Sequence, residues 1–363
     1  MSAVSGNAER KAALSMARES LRSVPVYDVE RSVCDIELSD STNQWGTPPA
    51  AQRAIERSAA RANMYPTMYG SELKVAVAGY AGCTAAEVVT GNGSDDVIDS
   101  ALGAFASPGD RLAYCAPTFV MIPVFAKLHE LETVPLPFHS DWSLNVDALL
   151  AANARITYIC SPNNPTGSPV DRAAIERVVH GSSGIVLIDE AYAEFSGESV
   201  MQDAPGWDRV LVVRTFSKAF GLAGLRAGYG VANASIIHDV EKARGPYTLN
   251  RMAEAAATAA LTEGLPWVRE RVDEALEVRA RVDAALRELK LSPLSSAANF
   301  LCVPVPDARA WSHALRSQGI AVRPFRDVPG AGDVLRMAMA PWEQMERVLQ
   351  VIEGLVNGGS GPP

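Results

Sequence analysis

The sequence predicts a mixed α/β fold, in which a mostly parallel central sheet is flanked by helices and is followed by a smaller α+β domain. Through the first two thirds of the chain, short β-branched apolar segments alternate with amphipathic helical segments. Sheets built in this way are mostly parallel and are covered on both faces. From about residue 249 a long helical stretch replaces the alternation. We therefore expect an N-terminal arm (1–45), a large ligand-binding domain (46–248) and a small domain (249–363).

The elements follow in a regular order. An amphipathic helix (about 8–22) and a short strand (34–38) come first. The strands of the central sheet are predicted at 88–90, 111–115, 132–136, 156–160, 185–189, 209–214 and 227–231. Helices are predicted at 49–61, 71–82, 94–105, 118–128, near 145–151 and at 171–179. The small domain is predicted to contain helical segments at 250–289, 308–318 and 342–357, and strands at 298–305, 320–325 and 333–339.

Composition narrows the function classes. The formal net charge of −9 argues against nucleic acid or an anionic membrane as the main partner. The first twenty residues lack the apolar core of a signal peptide, and no apolar run is long enough to span a bilayer. The five cysteines are scattered without a Cys-x-x-Cys pair, which favours a reducing compartment, so we expect a cytoplasmic protein. The five histidines show no metal-ligand spacing, and we expect no metal site.

Unusual polar residues follow the predicted strands. They lie in the segments TGNGSDDV (90–97), SPNNPTG (161–167), LIDEAYAEF (187–195) and VVRTFSKAFGLAGLRAGY (212–229). Taken singly, each has a local explanation as a helix cap, a turn or a solvated lysine. Because ligands of parallel α/β sheets bind at the carboxyl ends of the strands, the four segments are expected to meet at one site.

The combined chemistry of these segments fits one ligand. Free backbone N–H groups at 93–95 and the Gly-flanked Arg226 suit a phosphate. The strand-end Asp189 suits a ring nitrogen, Asn164 suits a ring hydroxyl, and Lys218 suits an aldehyde. Pyridoxal 5'-phosphate (PLP) carries all four groups, so the sequence predicts PLP as the cofactor.

The motifs PNNPTG, DEAY and TFSKAFGLAGLR, with their spacing, resemble those of the fold-type I, class I and II aminotransferases. The resemblance is greatest to the histidinol-phosphate aminotransferase branch, and it runs from about Val26 to the final helix. It implies a PLP-dependent enzyme that transfers an amino group from histidinol phosphate to 2-oxoglutarate. It also implies a homodimer with shared active sites, in which the N-terminal arm packs on the small domain and on the partner.

The resemblance assigns roles around the cofactor. Lys218 is expected to form the Schiff base with PLP and then to move the substrate Cα proton. Asp189 is expected to pair with the pyridine nitrogen, and Asn164 and Tyr192 to hydrogen-bond the ring hydroxyl. Phe119 takes the position of the aromatic residue that stacks on the ring.

The phosphate is expected to be held by the backbone of Ser94 and Asp95, the hydroxyl of Ser217 and the guanidinium of Arg226. Tyr65, in NMYPTMYG, matches the tyrosine that reaches the phosphate of the neighbouring subunit.

Substrate residues follow from the same resemblance. Arg336 matches the arginine that binds the substrate carboxylate, and Arg323 matches a second arginine that meets the substrate phosphate. Tyr27 and Asn43 also fall in matching places. The chain departs from the family pattern Asn-Glu-Asn-Pro-Tyr-Gly, which is replaced by STNQWG at 41–46.

Three alternatives stay open from the sequence. Trp45 replaces the tyrosine of the family at the expected pocket edge, which favours an aromatic or other amino acid as donor. A decarboxylase of amino-acid phosphates on the same fold would share the cofactor residues. A regulator with an aminotransferase-like domain would need a DNA-binding module, for which the roughly 25 residues before Tyr27 are too few.

Overall fold

The computed structural model describes residues 16–22, 24, 26 and 34–358. Its strands are β1 (Ile36–Glu37), β2 (Val88–Gly91), β3 (Arg111–Ala116), β4 (Glu132–Pro137), β5 (Ile156–Cys160), β6 (Ile185–Asp189), β7 (Val210–Thr215), β8 (Gly228–Val231), β9 (Phe300–Pro304), β10 (Ile320–Ala321), β11 (Arg323–Val328) and β12 (Gly332–Ala338). Its helices are α1 (Glu19–Arg22), α2 (Pro49–Ala59), α3 (Ser71–Ala81), α4 (Ser94–Phe105), α5 (Met121–Leu128), α6 (Val146–Ala151), α7 (Arg172–Gly181), α8 (Ala193–Ser196), α9 (Ala234–Lys242), α10 (Arg251–Thr262), α11 (Leu265–Glu288), α12 (Ala308–Ser317) and α13 (Trp342–Asn357).

The centre of the fold is a seven-stranded sheet with the order β2-β8-β7-β6-β5-β3-β4. β8 runs antiparallel to both of its neighbours, and the other pairs are parallel. The fold class predicted from the sequence is therefore confirmed. Helices cover both faces of the sheet, because its strands bury apolar residues on both sides.

Strand register brings the sequence motifs to one edge of the sheet. Cys160, at the end of β5, lies opposite Asp189 at the end of β6, and Asp189 lies opposite Val213 near the end of β7. Since these strands are parallel, the loops that follow them leave the sheet on the same side. The segments PNNPTG, DEAY and TFSK are thus neighbours in space although they are distant in sequence.

The C-terminal part contains an antiparallel sheet with the order β11-β12-β9, and β1 pairs in parallel with β10. Helix α11 connects the cores: Val268 and Val272 pack in the core beneath the central sheet, whereas Val278 and Val282 pack in the core of the smaller sheet. Helix α10 packs against α2 and α3 of the preceding part. The limits at residues 45 and 248 stay predictions.

Several elements differ from the predictions. The sequence reading omitted α9, although Asn233 caps it by accepting a hydrogen bond from the Ser235 N–H and its apolar residues have helical spacing. The helical stretch at 250–289 is two helices, because the chain breaks at Gly264 before Pro266. Of the helix predicted at 8–22, the described part is helical at 19–22. None of the described helices is long and apolar enough to cross a membrane.

Candidate active site

A cavity of about 720 Å³ lies where the strands β5, β6 and β7 end. Most of the site residues predicted from the sequence line it, and they come from separate segments of the chain. They are Ser94, Asp95, Phe119, Asn164, Asp189, Tyr192, Ser217, Lys218, Arg226, Arg323 and Arg336. Tyr27 lies outside the described residues. Asn43 and Tyr65 are described but do not line the cavity.

Lys218 lies in the turn that follows β7. Its Nζ donates a hydrogen bond to the backbone oxygen of Asp40, at 2.8 Å, and lies 5.7 Å from the ring centroid of Tyr192. Burial, together with the positive charge of Arg336, lowers the pKa of Lys218 to about 8. An amine with such a pKa is partly deprotonated near neutral pH, so it can act as a nucleophile and as a base.

Asp189 ends β6 and is 4% exposed. Its Oδ2 accepts a hydrogen bond of 2.7 Å from the hydroxyl of Tyr158, and its Oδ1 accepts one of 3.1 Å from the Ala191 N–H. Burial raises the pKa of Asp189 to about 6, against the opposing effect of these two bonds. No arginine, lysine or histidine in the described chain forms an ion pair with Asp189. A bound cationic nitrogen would offset the cost of burying this charge.

The residues predicted to contact the ring surround the same cavity. Tyr192 is buried and packs edge to face on Phe300, with ring centroids 5.1 Å apart. Burial raises the pKa of Tyr192 to about 12, which keeps its hydroxyl protonated as a donor. Asn164 accepts a hydrogen bond of 2.6 Å from Arg336 through its Oδ1 atom. Phe119 lines the cavity after β3.

Two glycines let an arginine approach the N-terminus of α4. A Cβ atom at Gly93 would lie 2.6 Å from Nη2 of Arg226, and one at Gly228 would lie 2.2 Å from the backbone nitrogen of Ser94. Arg226 itself has a φ of +57°, in the left-handed region that favours glycine. Such a conformation persists where the surroundings require it. The sequence therefore places a guanidinium beside free N–H groups, an arrangement that binds an anion.

The guanidinium of Arg226 has two polar contacts in this cradle. Its Nη1 donates to the Ser217 hydroxyl at 3.2 Å, and its Nη2 lies 3.2 Å from Oδ2 of Asp95. Thr215 donates to the same Ser217 oxygen at 2.9 Å and fixes the orientation of that hydroxyl. Burial raises the pKa of Asp95, and the charge of Arg226 opposes this effect.

The two arginines predicted for the substrate lie directly opposite each other in the β11–β12 ladder, so their side chains share one face of the sheet. Arg336 is buried, with Nη1 bonded to Asn164 and Nη2 donating to the Ser39 oxygen at 2.5 Å. Its guanidinium lies 5.4 Å and 5.6 Å from the ring centroids of Phe300 and Phe325. The buried Nε of Arg336 has no hydrogen-bond partner among the described residues, which suits an incoming anion.

Asn43 and Trp45 have positions that differ from those expected, whereas Tyr65 is exposed and its contact with a second subunit stays a prediction. The side-chain amide of Asn43 donates to the Ala219 oxygen and its Oδ1 accepts from the Trp45 N–H, both at 2.9 Å, so its amide holds the loop instead of facing the cavity. Trp45 packs between a core of the central sheet and the core of the smaller sheet and does not line the cavity, contrary to the expectation that it forms the pocket edge. Tyr65 is 76% exposed and stacks on Tyr247 with ring centroids 4.8 Å apart.

Several residues of the site were not predicted from the sequence. The backbone oxygen of Asp40 holds Lys218, and a backbone acceptor leaves no residue-type signal. Cys160 and Phe325 also line the cavity. Tyr158 contacts Asp189 from the neighbouring strand. The alternation of side chains along β5 could have predicted Tyr158, because Tyr158 and Cys160 are two residues apart and share the face of a strand that ends at the site.

The described residues fit PLP. The cavity combines a lysine with a lowered pKa, a buried carboxylate without a protein cation, and a glycine-lined cradle that contains an arginine. These are the amine, the partner for a pyridine nitrogen and the phosphate site that the cofactor requires. This donor set defines the class of protein as a PLP-dependent enzyme of the mixed α/β type.

The comparisons with known proteins narrow this class. Residues 35–352 match the family model for aminotransferase class I and II, and the chain belongs to this family. The enzyme class and the cofactor predicted from the sequence, an aminotransferase that uses PLP, are confirmed.

Relatives with similar sequences include histidinol-phosphate aminotransferases. That of Chromobacterium violaceum is 34% identical over 347 residues, which cover 93% of this chain and 97% of the relative. That of Thermoanaerobacter sp. strain X514 is 31% identical over 350 residues, which cover 94% and 99%.

Solved structures share the fold. Histidinol-phosphate aminotransferase from Sinorhizobium meliloti, in complex with PLP, has a TM-score of 0.87 at 22% identity, with 96% of this chain and 100% of that chain covered. Aspartate aminotransferase from Thermus thermophilus, with maleate, has a TM-score of 0.76 at 20% identity, with 88% and 91% covered.

Proposed function

We propose that the protein transfers the amino group of histidinol phosphate to 2-oxoglutarate. One observation carries the choice of donor: Arg323 and Arg336 lie opposite each other on one face of a sheet and both line the cavity that contains Lys218. A phosphate dianion benefits from two guanidinium groups, whereas one suffices for a carboxylate. The names of the relatives support the same donor.

Bound PLP supplies the conjugated ring that takes up the electron pair released at the substrate Cα. Lys218 would hold the cofactor, and its Nζ, whose pKa is lowered to about 8, would move the proton at the substrate Cα. The 2.8 Å bond to the Asp40 oxygen orients this amine toward the cavity. Asp189 would hold the proton of the ring nitrogen, and Phe119, which lines the cavity, would pack on the ring.

The remaining groups bind and orient the cofactor. Asn164 and Tyr192 would donate to the ring hydroxyl. Asn164 can do so through its NH₂ group, because its contact with Arg336 uses the Oδ1 atom. The N–H groups of Ser94 and Asp95, at the N-terminus of α4, would hold the phosphate. Arg226 and Ser217, 3.2 Å apart, complete this binding site.

The first experiment tests cofactor attachment. Borohydride reduction of the PLP-loaded protein should fix the cofactor on the peptide that contains Lys218, as detected by its mass. Lys218→Ala should carry no such adduct. A cofactor fixed on another lysine of the wild-type protein would overturn the assignment.

The second experiment tests the donor. We expect kcat/KM with 2-oxoglutarate to be greater for histidinol phosphate than for phenylalanine or tyrosine. Arg323→Ala should raise KM for histidinol phosphate about 10- to 100-fold, the effect of losing one charged hydrogen bond. Arg326→Ala is the matched control, because Arg326 lies on the same strand but is exposed.

Each alternative from the sequence has its own signature in this assay. A phenylalanine value well above that for histidinol phosphate would identify an aromatic aminotransferase. Release of carbon dioxide from an amino-acid phosphate would identify a decarboxylase. Trp45 does not line the cavity, so its presence does not favour an aromatic donor.

We further propose that the protein acts as a cytoplasmic homodimer in which Tyr65 reaches the cofactor phosphate of the other subunit. Tyr65 is 76% exposed although it is a large aromatic residue, and Met64, Met68 and Tyr247 nearby are also exposed. An exposed apolar group of this kind is typical of an interface. Arg251 supports the segment by donating to the backbone oxygens of Met64 and Tyr65.

A further inference from the structure

The partner of Asp189 on the neighbouring strand has no role in the function described above. Tyr158 is 1% exposed and lies on β5 opposite Leu187 of β6, two residues before Asp189 and therefore on the same face of the sheet. Its hydroxyl donates to Oδ2 of Asp189 at 2.7 Å, while the Ala191 N–H donates to Oδ1 at 3.1 Å. Each carboxylate oxygen thus has one protein donor.

We propose that Tyr158 is a positioning residue for Asp189: its hydroxyl fixes the orientation of the carboxylate and keeps the proton shared with the cofactor on the ring nitrogen. The inference rests on the proposed role of Asp189. A proton between a carboxylate and a pyridine nitrogen resides on the more basic of the two. A hydrogen bond donated to the carboxylate stabilises its charged form and so lowers its basicity.

The groups around Asp189 determine how much this bond matters. Burial raises the pKa of Asp189, and the negative charges of Asp95 and Glu190 raise it further. Cys160, opposite Asp189 on β5, is buried, and the pKa of its thiol is raised, so it adds no charge. Among the side chains around Asp189 named here, Tyr158 is the one whose hydrogen bond lowers the pKa of the carboxylate and so opposes its protonation.

A buried tyrosine can serve packing alone, and the same sheet offers a matched comparison. Tyr114 lies on β3 in direct register with Tyr158, is buried in the same core and is 6% exposed. The Tyr114 hydroxyl forms no hydrogen bond with Asp189, whose carboxylate is contacted by Tyr158 and Ala191. Tyr114→Phe and Tyr158→Phe each remove one hydroxyl from the same core, but only Tyr158→Phe removes a hydrogen bond to the Asp189 carboxylate.

The test uses the full-length protein loaded with PLP that carries ¹⁵N at the ring nitrogen. Tyr158→Phe should move the ¹⁵N signal toward that of unprotonated pyridine. The proton affinity of the ring nitrogen relative to the Asp189 carboxylate should fall by up to about tenfold, the change expected for the loss of one charged hydrogen bond. Tyr114→Phe should keep the wild-type signal.

The opposite perturbation gives a second measurement that does not depend on Tyr158→Phe folding. Site-specific 3-fluorotyrosine at position 158 retains the ring and makes the hydroxyl a stronger donor, so the ¹⁵N signal should move toward the protonated value. A wild-type signal in both variants at 158, or the same change in Tyr114→Phe, would overturn the inference. A wild-type protein that binds PLP without a protonated nitrogen would instead refute the proposed role of Asp189.

Discussion

Asp189→Asn separates the cost of a buried carboxylate from its use in binding a cofactor. The substitution keeps the shape of the side chain and removes its charge. Asparagine can accept from the Ala191 N–H through its oxygen, and its NH₂ group can donate to the Tyr158 hydroxyl, which is free to rotate. In the cofactor-free protein we expect the variant to gain stability relative to the wild type as the pH rises.

The magnitude follows from the pKa of the group. The carboxyl titrates at 3.8 in the unfolded chain and at about 6 in the folded protein, because burial disfavours its charge. A pKa that is raised on folding contributes stability that is fully present below pH 3.8 and is lost as the pH rises through about 6. The total loss is about 3 kcal/mol at roughly 1.36 kcal/mol per pKa unit, and about half of it develops between pH 5 and 8.

The assay is urea unfolding of the cofactor-free proteins at pH 5, 6, 7 and 8. The free energy of unfolding of the wild type should fall by about 1.4 kcal/mol relative to Asp189→Asn across this range. Asp208→Asn, at an exposed position, controls for the substitution itself. With PLP bound, the wild type should be more stable than Asp189→Asn, because the amide offers no charge to the ring nitrogen. A difference between the cofactor-free proteins that is constant with pH would refute the reasoning.

Three further outcomes are expected. Arg226→Ala should raise the Kd for PLP about 10- to 100-fold in equilibrium dialysis, since one charged contact to the phosphate is lost. The rate of PLP uptake should rise with pH and level off above about 8, where Lys218 is deprotonated, and a rate still rising at pH 10 would contradict this pKa. Tyr65→Ala should retain less PLP, and sedimentation should show a dimeric wild type; a fully active wild-type monomer would rule out the shared site.

The sequence predicted the parts of the fold that local pattern determines. Strands β5 and β6 have the predicted bounds, because each is a short, fully buried apolar run between polar segments. Helix α4 also has the predicted bounds, since the glycine before Ser94 and the polar first turn determine its beginning. The strand-end motifs could be assigned to one site because parallel strands share a carboxyl edge.

Other features depend on tertiary position and leave no local pattern. The antiparallel direction of β8 is a property of how the chain returns to the sheet. The contact of Lys218 with the Asp40 oxygen joins residues that are far apart in sequence. Trp45 was expected at the cavity because of its place in a motif, but it packs between two cores. A motif predicts which residue types are present, whereas packing determines which of them face the site.

Arg214 is the clearest case of a residue whose importance only the structure reveals. In the sequence it interrupts the apolar run of β7, and in the fold it is 4% exposed. Its Nε and Nη2 donate to Oε2 of Glu190 at 2.9 and 2.7 Å, and its Nη1 donates to Oε1 of Glu194 at 2.9 Å. Both carboxylates are buried, so the guanidinium is the cation that compensates them.

Arg214→Met should therefore cost about 3–5 kcal/mol of stability in chemical unfolding, because it leaves two buried carboxylates without a cation. Glu190→Gln should also destabilise the protein, since one half of the pair is lost. Because the two residues share hydrogen bonds, the double variant should lose less than the sum of the single losses. Additive losses would show that the contacts do not stabilise the fold as a unit. Glu190 directly follows Asp189, and Arg214 lies four residues before Lys218. A coupled Arg214–Glu190 pair would therefore also hold together the ends of β6 and β7, which carry the site.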